Sequence, residues 1–424
     1  MKKIVKALAA SLLALLARAV VCRYRPKVVM VTGSVGKTST KDAVAAILST
    51  RFYLRKSKKS FNGEFGVPYT ILDIGDLLTD PFEWLRLAKN SLALLLLPNH
   101  YPNMLVLEVG ADKPGEIAHI LRIVTPDAVV VTKLPEIPVH VEAYPTPEAV
   151  REEEFSPALA LAPGAPLILS ADDPYALDYA VRSLGRVVSY GGAAGATVHV
   201  GATYFYHEAG KVAGMQAQVR IGDIEQPVVV KGSVGGAQLL PAAAALATAT
   251  VLGIMPEEAF AALASYEPPP GRGRLLAGRD GAVLIDDSYN SSPAAVEEAL
   301  ATLKTFPGVT RRVAILGDML ELGRYSVMEH SRIAEEVGRS ADLIVTVGIR
   351  ARAFASAPGA ATVLHYDTAK SAAAALAKEI GEGDVILVKG SQSVRMERIV
   401  EALLANRGDR SLLVRQEKKW KQKA

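Results

Sequence analysis

The chain has 424 residues, carries 48 lysines and arginines against 44 aspartates and glutamates, and is half hydrophobic. That length exceeds one ordinary core and implies two or three domains. The balance excludes a disordered chain, and a net charge of +4 is too small to mark a nucleic-acid binder. A single cysteine, Cys22, excludes a disulfide framework or a cysteine-built zinc site and suits a reducing, cytoplasmic compartment.

Residues 1–26 begin with Lys2, Lys3 and Lys6, followed by an apolar run. Lys6 and Arg18 bracket only eleven uncharged residues, short of the ~18–20 that span a bilayer, and no A-x-A cleavage pattern follows. The expectation is a helix that packs on the body of the protein or rests on a membrane surface. Next comes "VVMVTGSVGKTSTKDAVAAIL", Val28–Leu48: an apolar run, a small-residue turn, then apolar positions at helical spacing. This predicts strand, phosphate loop, helix. A second apolar stretch, Phe82–Pro98, raises the same membrane question as the first.

From Lys27 onward, β-rich runs alternate with helical segments. "KVVMVTG", "NMLVLEVG", "DAVVVTKL" and "APLILSADD" are candidates for buried parallel strands. Residues 193–232 change to alternating strands and turns, as in a small antiparallel sheet. "AQLLPAAAALATATVLG" reads as a helix, and "EPPPGRGR" (Glu267–Arg274) as a hinge. Beyond it, "GAVLIDDSYN", "RRVAILGD", "ADLIVTVG" and "DVILVKGS" predict a second α/β domain. The predicted class is α/β: a central ATPase-like domain over 27–268, mostly parallel with a small antiparallel sheet, and a Rossmann-like domain over 269–424 that ends in the basic tail "RQEKKWKQKA".

The turn holding Gly33, Ser34, Gly36, Lys37, Thr38 and Ser39 has what phosphate binding needs. Backbone amides meet a helix N-terminus, Lys37 reaches the β/γ-phosphates, and the Thr38 hydroxyl suits magnesium. Val31 stands where the common Walker pattern has glycine. Glu108 ends a strand, the usual ligand zone of an α/β sheet, and can hold Mg²⁺. His140 follows another strand and is a candidate second metal ligand. Asp286, Asp287 and Asn290 end a strand of the second domain, where an acid suits a ribose and an amide suits a base. Lys389, Gly390 and Ser391 form a cationic turn fitted to a carboxylate or phosphate.

"TGSVGKTSTK", "NGEFGVP", "LEVGADKPGEI", "DDSYNSSPAAVEEAL", "ILGDMLELG" and "VKGSQSVRME", in this order, resemble the Mur ligase family over roughly residues 27–405. Within it they resemble the branch that adds D-alanyl-D-alanine to a muramoyl-tripeptide. The resemblance implies an ATP- and Mg²⁺-dependent amide ligase of peptidoglycan synthesis that works through an acyl phosphate; a monomer is the expected state. It implies that Gly36, Lys37 and Thr38 hold the triphosphate, that Glu108 and His140 ligate magnesium, and that Asp287 and Asn290 contact adenosine. It implies that Arg272 touches ATP on domain closure and that Lys389 and Ser391 lie near the incoming amino acid. Lys37, His140 and Lys389 are the candidate catalytic residues.

Departures from the family pattern accompany the likeness. Only a helix-like stretch stands where the family has a uridine-binding domain, Phe82–Pro98 is extra, and Ala237 replaces a histidine. The lysine that the family carbamylates near its second magnesium is also missing; the local sequence is "AVREEEF", and Glu153 or a direct neighbour is the expected substitute. Two alternatives stand beside the first reading. One is an amide ligase on a different or lipid-linked carboxylate; the other is a non-catalytic nucleotide-binding scaffold. The apolar helix and residues 82–98 are candidates for peripheral contact with the inner membrane face.

Overall fold

The computed structural model describes residues 2–58, 60–75, 82–356, 362–376, 378–417 and 420. Most of the basic tail, and the side chains of Lys2 and Lys3, lie outside the described residues. The chain divides into two compact units: Met1–Ala202 with Gln218–Val228 and Leu240–Tyr266, and Thr203–Ala217 with Val229–Leu239 and Glu267–Ala424.

The first unit begins with α1 (Lys2–Tyr24), β1 (Lys27–Thr32), α2 (Lys37–Leu48), β2 (Leu54–Lys56), α3 (Gly66–Leu72) and α4 (Phe82–Leu96). It continues with β3 (Met104–Glu108), α5 (Glu116–Ile123), β4 (Ala128–Val131), α6 (Pro147–Leu159), β5 (Pro166–Ser170), α7 (Pro174–Ala180), β6 (Arg186–Gly191) and β7 (Val198–Val200). The strands β8 (Tyr204–Glu208), β9 (Lys211–Ile221) and β10 (Ile224–Lys231) follow in the chain, with β8 and residues 211–217 and 229–231 falling in the second unit, then α8 (Leu239–Val251) and α9 (Pro256–Leu263). The order β7-β6-β5-β4-β1-β3-β2 is parallel throughout. The meander expected over 193–232 is antiparallel, with β9 pairing both β7 and β8.

The central strands are apolar on both faces because helices cover both faces. Val28, Val29, Met30 and Val31 of β1 and Met104 to Leu107 of β3 are all buried. Helix starts follow local chemistry. Thr146 caps α6 ahead of Pro147, and Asp173 caps α7 ahead of Pro174. The N-terminal stretch forms one long helix, α1, whose Leu13, Ala17 and Val20 enter the core of this unit. No helix among the described residues is long and apolar enough to cross a membrane.

The second unit holds β11 (Arg274–Ala277), β12 (Val283–Asp287), α10 (Pro293–Thr305), β13 (Arg311–Gly317), α11 (Ser326–Ser340), β14 (Leu343–Val347), β15 (Thr362–Tyr366), α12 (Ala369–Leu376), β16 (Asp384–Lys389) and α13 (Glu397–Leu403). Its sheet runs β11-β12-β16-β13-β14-β15, with only β11 antiparallel. All four strands expected here are present. The two others, β11 and β15, lie at the edges.

Candidate active site

In the first unit the parallel strands deliver their carboxyl ends to one edge of the sheet, and the phosphate loop leaves β1 there. Val31 pairs in register with Glu108 of β3, and Thr32 with Val131 of β4. The loop needs two glycines. Gly33 has φ +113, and a Cβ there would stand 2.4 Å from Thr132 Oγ1; Gly36 has φ +90 at the start of α2 and offers no side-chain cap. The amides of this helix end are the anion-binding groups of such loops. Ser34 N donates to the Lys133 carbonyl at 2.9 Å, pinning the loop to the strand beside it.

Lys37 folds back over the loop. Its Nζ donates to the Gly33 carbonyl and lies 3.7 Å from Glu154 Oε1. Glu154 also accepts from the Ser34 hydroxyl, and its backbone carbonyl accepts from Thr32 Oγ1 at 2.6 Å. Burial pushes the Glu154 carboxyl up from its ordinary pKa, opposed by the Lys37 ammonium, the Ser34 hydrogen bond and His140. Glu154 therefore joins the loop. Glu153 does not: its two oxygens accept from Gly115 N at 3.1 Å and Ile117 N at 2.9 Å, capping α5 from outside. The two residues are adjacent on α6, so their side chains leave it in different directions.

Glu108 is 1% exposed. Its Oε1 accepts from Asn62 Nδ2 at 3.4 Å, and its backbone N donates to Ser57 Oγ at 3.1 Å. A Cβ on Gly110 would meet Lys37 Cε and Asn62 Nδ2, both at 3.3 Å, so the loop lysine, Asn62 and the strand end crowd together. Thr38 Oγ1 is 3.2 Å from Ser60 Oγ. Ser39 is buried in the first turn of α2. One turn on, Lys41 is buried and donates to the Ser57 carbonyl at 2.8 Å; desolvation lowers its pKa against the pull of Asp42 and Glu108. His140 has φ +67, and its Nε2 is 3.5 Å from Asp112 Oδ1.

These donors fit magnesium. Thr38, Ser60, Glu108 and Glu154 offer hard oxygens, and among the described residues no three His, Cys, Asp or Glu side chains converge into a metal cage. Mg²⁺ commonly binds through one or two carboxylates, waters and substrate phosphates rather than a full protein cage.

In the second unit Asp287 and Lys389 are register partners at the ends of β12 and β16. Lys389 is 3% exposed and donates to Asp287 Oδ2 at 2.7 Å and to the Asn290 carbonyl at 3.1 Å. It thus ties down the Asp287–Asn290 turn. Ser391 Oγ accepts from Leu320 N at 2.8 Å, linking the "LGDMLELG" loop to the end of β16. Arg272 lies 4.3 Å over the Tyr289 ring, and Arg415 lies 5.7 Å from that ring. Arg415 also donates to the Ser288 and Tyr289 carbonyls and to Glu397 Oε2. Burial lifts the Asp286 carboxyl to about 6, opposed by its hydrogen bonds from Ser288.

The family model for the Mur ligase middle domain matches residues 31–249, and that for the Mur ligase glutamate ligase domain matches residues 271–392. The chain belongs to the Mur ligase family. Among its relatives, the UDP-N-acetylmuramoyl-tripeptide--D-alanyl-D-alanine ligase of Bacillus subtilis is 27% identical over 398 residues, covering 92% of this chain and 78% of that protein. The Escherichia coli enzyme of the same name is 28% identical over 384 residues, covering 90% and 77%. A MurF ligase from Thermotoga maritima, solved with ADP, is 28% identical with a TM-score of 0.77, covering 93% of this chain and 83% of that one.

Of the residues expected from sequence, Gly33, Ser34, Lys37, Thr38 and Glu108 lie at this sheet edge. Ser60, Asn62, Lys41, Tyr289 and Arg415 are not among those expected, and all but Asn62 carry no such pattern in the sequence. The phrase "NGEFGVP" carried a signal for Asn62, since an Asn-Gly turn between strand and helix is where side chains meet ligands. Glu154 was legible only as one of three consecutive glutamates.

Proposed function

We propose that this Mur ligase joins D-alanyl-D-alanine to a muramoyl-tripeptide precursor of peptidoglycan at the expense of ATP. The observation that supports it best is the phosphate loop whose Lys37 lies 3.7 Å from the buried Glu154 carboxylate, with the buried Glu108 ending the neighbouring strand. It occurs in a chain similar over 92% of its length to a ligase of that name. An oxygen of the tripeptide carboxylate bonds to the γ-phosphorus and the bond to ADP breaks. The dipeptide amine then bonds to the acyl carbon, phosphate leaves with the electron pair, and the amine proton passes to solvent. The protein's share is placement and charge neutralisation.

Lys37 and the N-terminus of α2 neutralise the β/γ-phosphates. Thr38 with the carboxylates Glu108 and Glu154 would hold magnesium, which supplies neutralisation of the phosphate oxygens, and His140 adds its charge beside Glu154 rather than a third ligand. Glu154 rather than Glu153 takes the place of the absent lysine, because a glutamate already carries the oxygen pair that a carbamate would add. Asp287, Asn290 and Arg272 serve the adenosine, and Lys389 and Ser391 serve the incoming dipeptide. The test is ADP release and product mass with ATP, D-alanyl-D-alanine and a panel of UDP-muramoyl-tripeptides. ADP release that needs both substrates, with a product heavier by the dipeptide, is expected. Indifference to the dipeptide would remove the assignment.

A further inference from the structure

Two helices of the first unit are apolar on both sides. The inward face of α1 carries Leu13, Ala17 and Val20, and that of α4 carries Leu87 and Leu94; all five are buried in the core. The opposite faces are also apolar. On α1, Leu8, Leu12 and Leu15 recur at helical spacing and are 65%, 44% and 67% exposed; on α4, Leu85, Leu92 and Leu96 are 70%, 58% and 69% exposed. The two helices are joined. Arg23 at the end of α1 donates to the Leu95 carbonyl at 2.9 Å, and Tyr24 Oη donates to the Leu94 carbonyl at 2.8 Å. A surface helix usually turns a polar face to water, and contiguous exposed apolar residues mark an interaction site.

The charges that lie on the stripes themselves are cationic. No acidic residue occurs before Asp42, and Lys2, Lys3, Lys6, Arg18, Arg23, Arg25 and Lys27 precede it; of these, Lys6 is paired with Glu64 at 3.7 Å, off the stripe. Arg18 and Arg23 flank the leucine stripe of α1 at helical spacing, and Lys89 lies within that of α4. The one acid of α4, Glu83, is buried and held by Arg86 and by the backbone N of Gly75.

We propose that α1 and α4 form a docking face for an anionic lipid surface, lying in the headgroup layer without crossing it. Leucines enter the acyl boundary while arginine and lysine stems reach back to the phosphates. The charge decides among occupants. A second copy of this chain would bring cation against cation. A protein interface normally has few lysines and a rim of mixed charge, whereas the charged groups on these stripes, Arg18, Arg23 and Lys89, are all cations. No described helix has the length and apolarity to span a bilayer, so the contact is peripheral.

Flotation of the full chain separates these cases, with vesicles of phosphatidylcholine alone and of phosphatidylcholine with phosphatidylglycerol in equal parts. Binding is expected only to the anionic vesicles, and it should weaken as salt rises. Arg18→Ala should lower the partition coefficient about fivefold. Leu15→Glu combined with Leu92→Glu should abolish flotation. Both sites are exposed, so the melting temperature should stay put, and that separates lost docking from lost folding. Failure to float with anionic vesicles at low salt overturns the proposal, as does undiminished flotation of the double variant. A dimer seen by light scattering and broken by the same pair, without vesicle binding, assigns the face to a second copy and also overturns it.

Discussion

At the scale of single residues, two adjacent glutamates have separate duties. Glu153 accepts two backbone amides at the start of α5, and Glu154 sits against Ser34 and Lys37. Glu153→Gln should cost about 1 kcal/mol of stability, as a lost helix cap does, and leave the magnesium requirement of ADP release unchanged. Glu154→Gln should raise that requirement, and wild-type activity should not respond to bicarbonate depletion. The reverse pattern in a magnesium titration of the two variants would return the metal to Glu153. Lys37→Ala should lower ADP release by ~10²–10³, the usual loss for one charge stabiliser; turnover near wild type would unseat the loop.

Asp286 gives a pH signature in the second unit. Its folded pKa of about 6 exceeds its ordinary value of 3.8, so the folded state holds the proton more tightly. Its contribution to stability is therefore fully present below about 3.8 and is lost as pH rises through about 6. The loss amounts to about 3 kcal/mol on the scale of 1.36 kcal/mol for each unit. Asp286→Asn should flatten that part of the stability profile, and urea unfolding across the window measures it.

At the scale of elements, the turn "PGRGR" is a backbone device that presents Arg272. Gly271 and Gly273 have φ +70 and +68, and a Cβ on Gly273 would lie 2.4 Å from the Val234 carbonyl oxygen. Between them, the Arg272 carbonyl accepts from Ser233 Oγ at 2.6 Å and Gln238 Nε2 at 3.0 Å, while its side chain covers Tyr289. Gly273→Ala should cost about 1–3 kcal/mol through backbone strain and raise the KM for ATP more than it lowers kcat. An unchanged KM would detach this turn from the nucleotide.

Elements whose signal is contiguous were legible in the sequence. The strand, loop and helix over Val28–Leu48 form one uninterrupted pattern, and β1 and α2 fall within it. Short or half-exposed edge strands were not legible. β2 has three residues, and β15 is exposed or half-exposed throughout, so neither shows the apolar run that marks a buried strand. Site residues delivered by tertiary contact were equally silent. Glu154 reaches Ser34 across 120 positions, and Arg415 reaches the Ser288 carbonyl across 127. No local spacing records such pairings.

At the scale of the whole molecule, two hydrophobic clusters among the described residues lie in different units. Val28, Met30, Leu105 and Val129 belong to one, and Leu284, Ile315, Val345 and Ile386 to the other. Each is filled by residues of its own unit. A chain with two separate cores departs from two-state unfolding, so calorimetry should give an enthalpy larger than the van't Hoff value from the same trace. Ligand then identifies the transitions. The phosphate loop lies in the first unit, between β1 and α2, whose apolar residues are buried in it. A non-hydrolysable ATP analogue with Mg²⁺, present at about 100 times its Kd, adds about 2.7 kcal/mol to whatever it binds in the native state alone. That increment should raise the transition of the first unit and vanish in Lys37→Ala. Without nucleotide the variant should melt somewhat below the wild type, because the buried Glu154 loses its cation, so the nucleotide increment is read against the variant's own ligand-free trace. A nucleotide shift that survives Lys37→Ala at full size would place the triphosphate away from the loop.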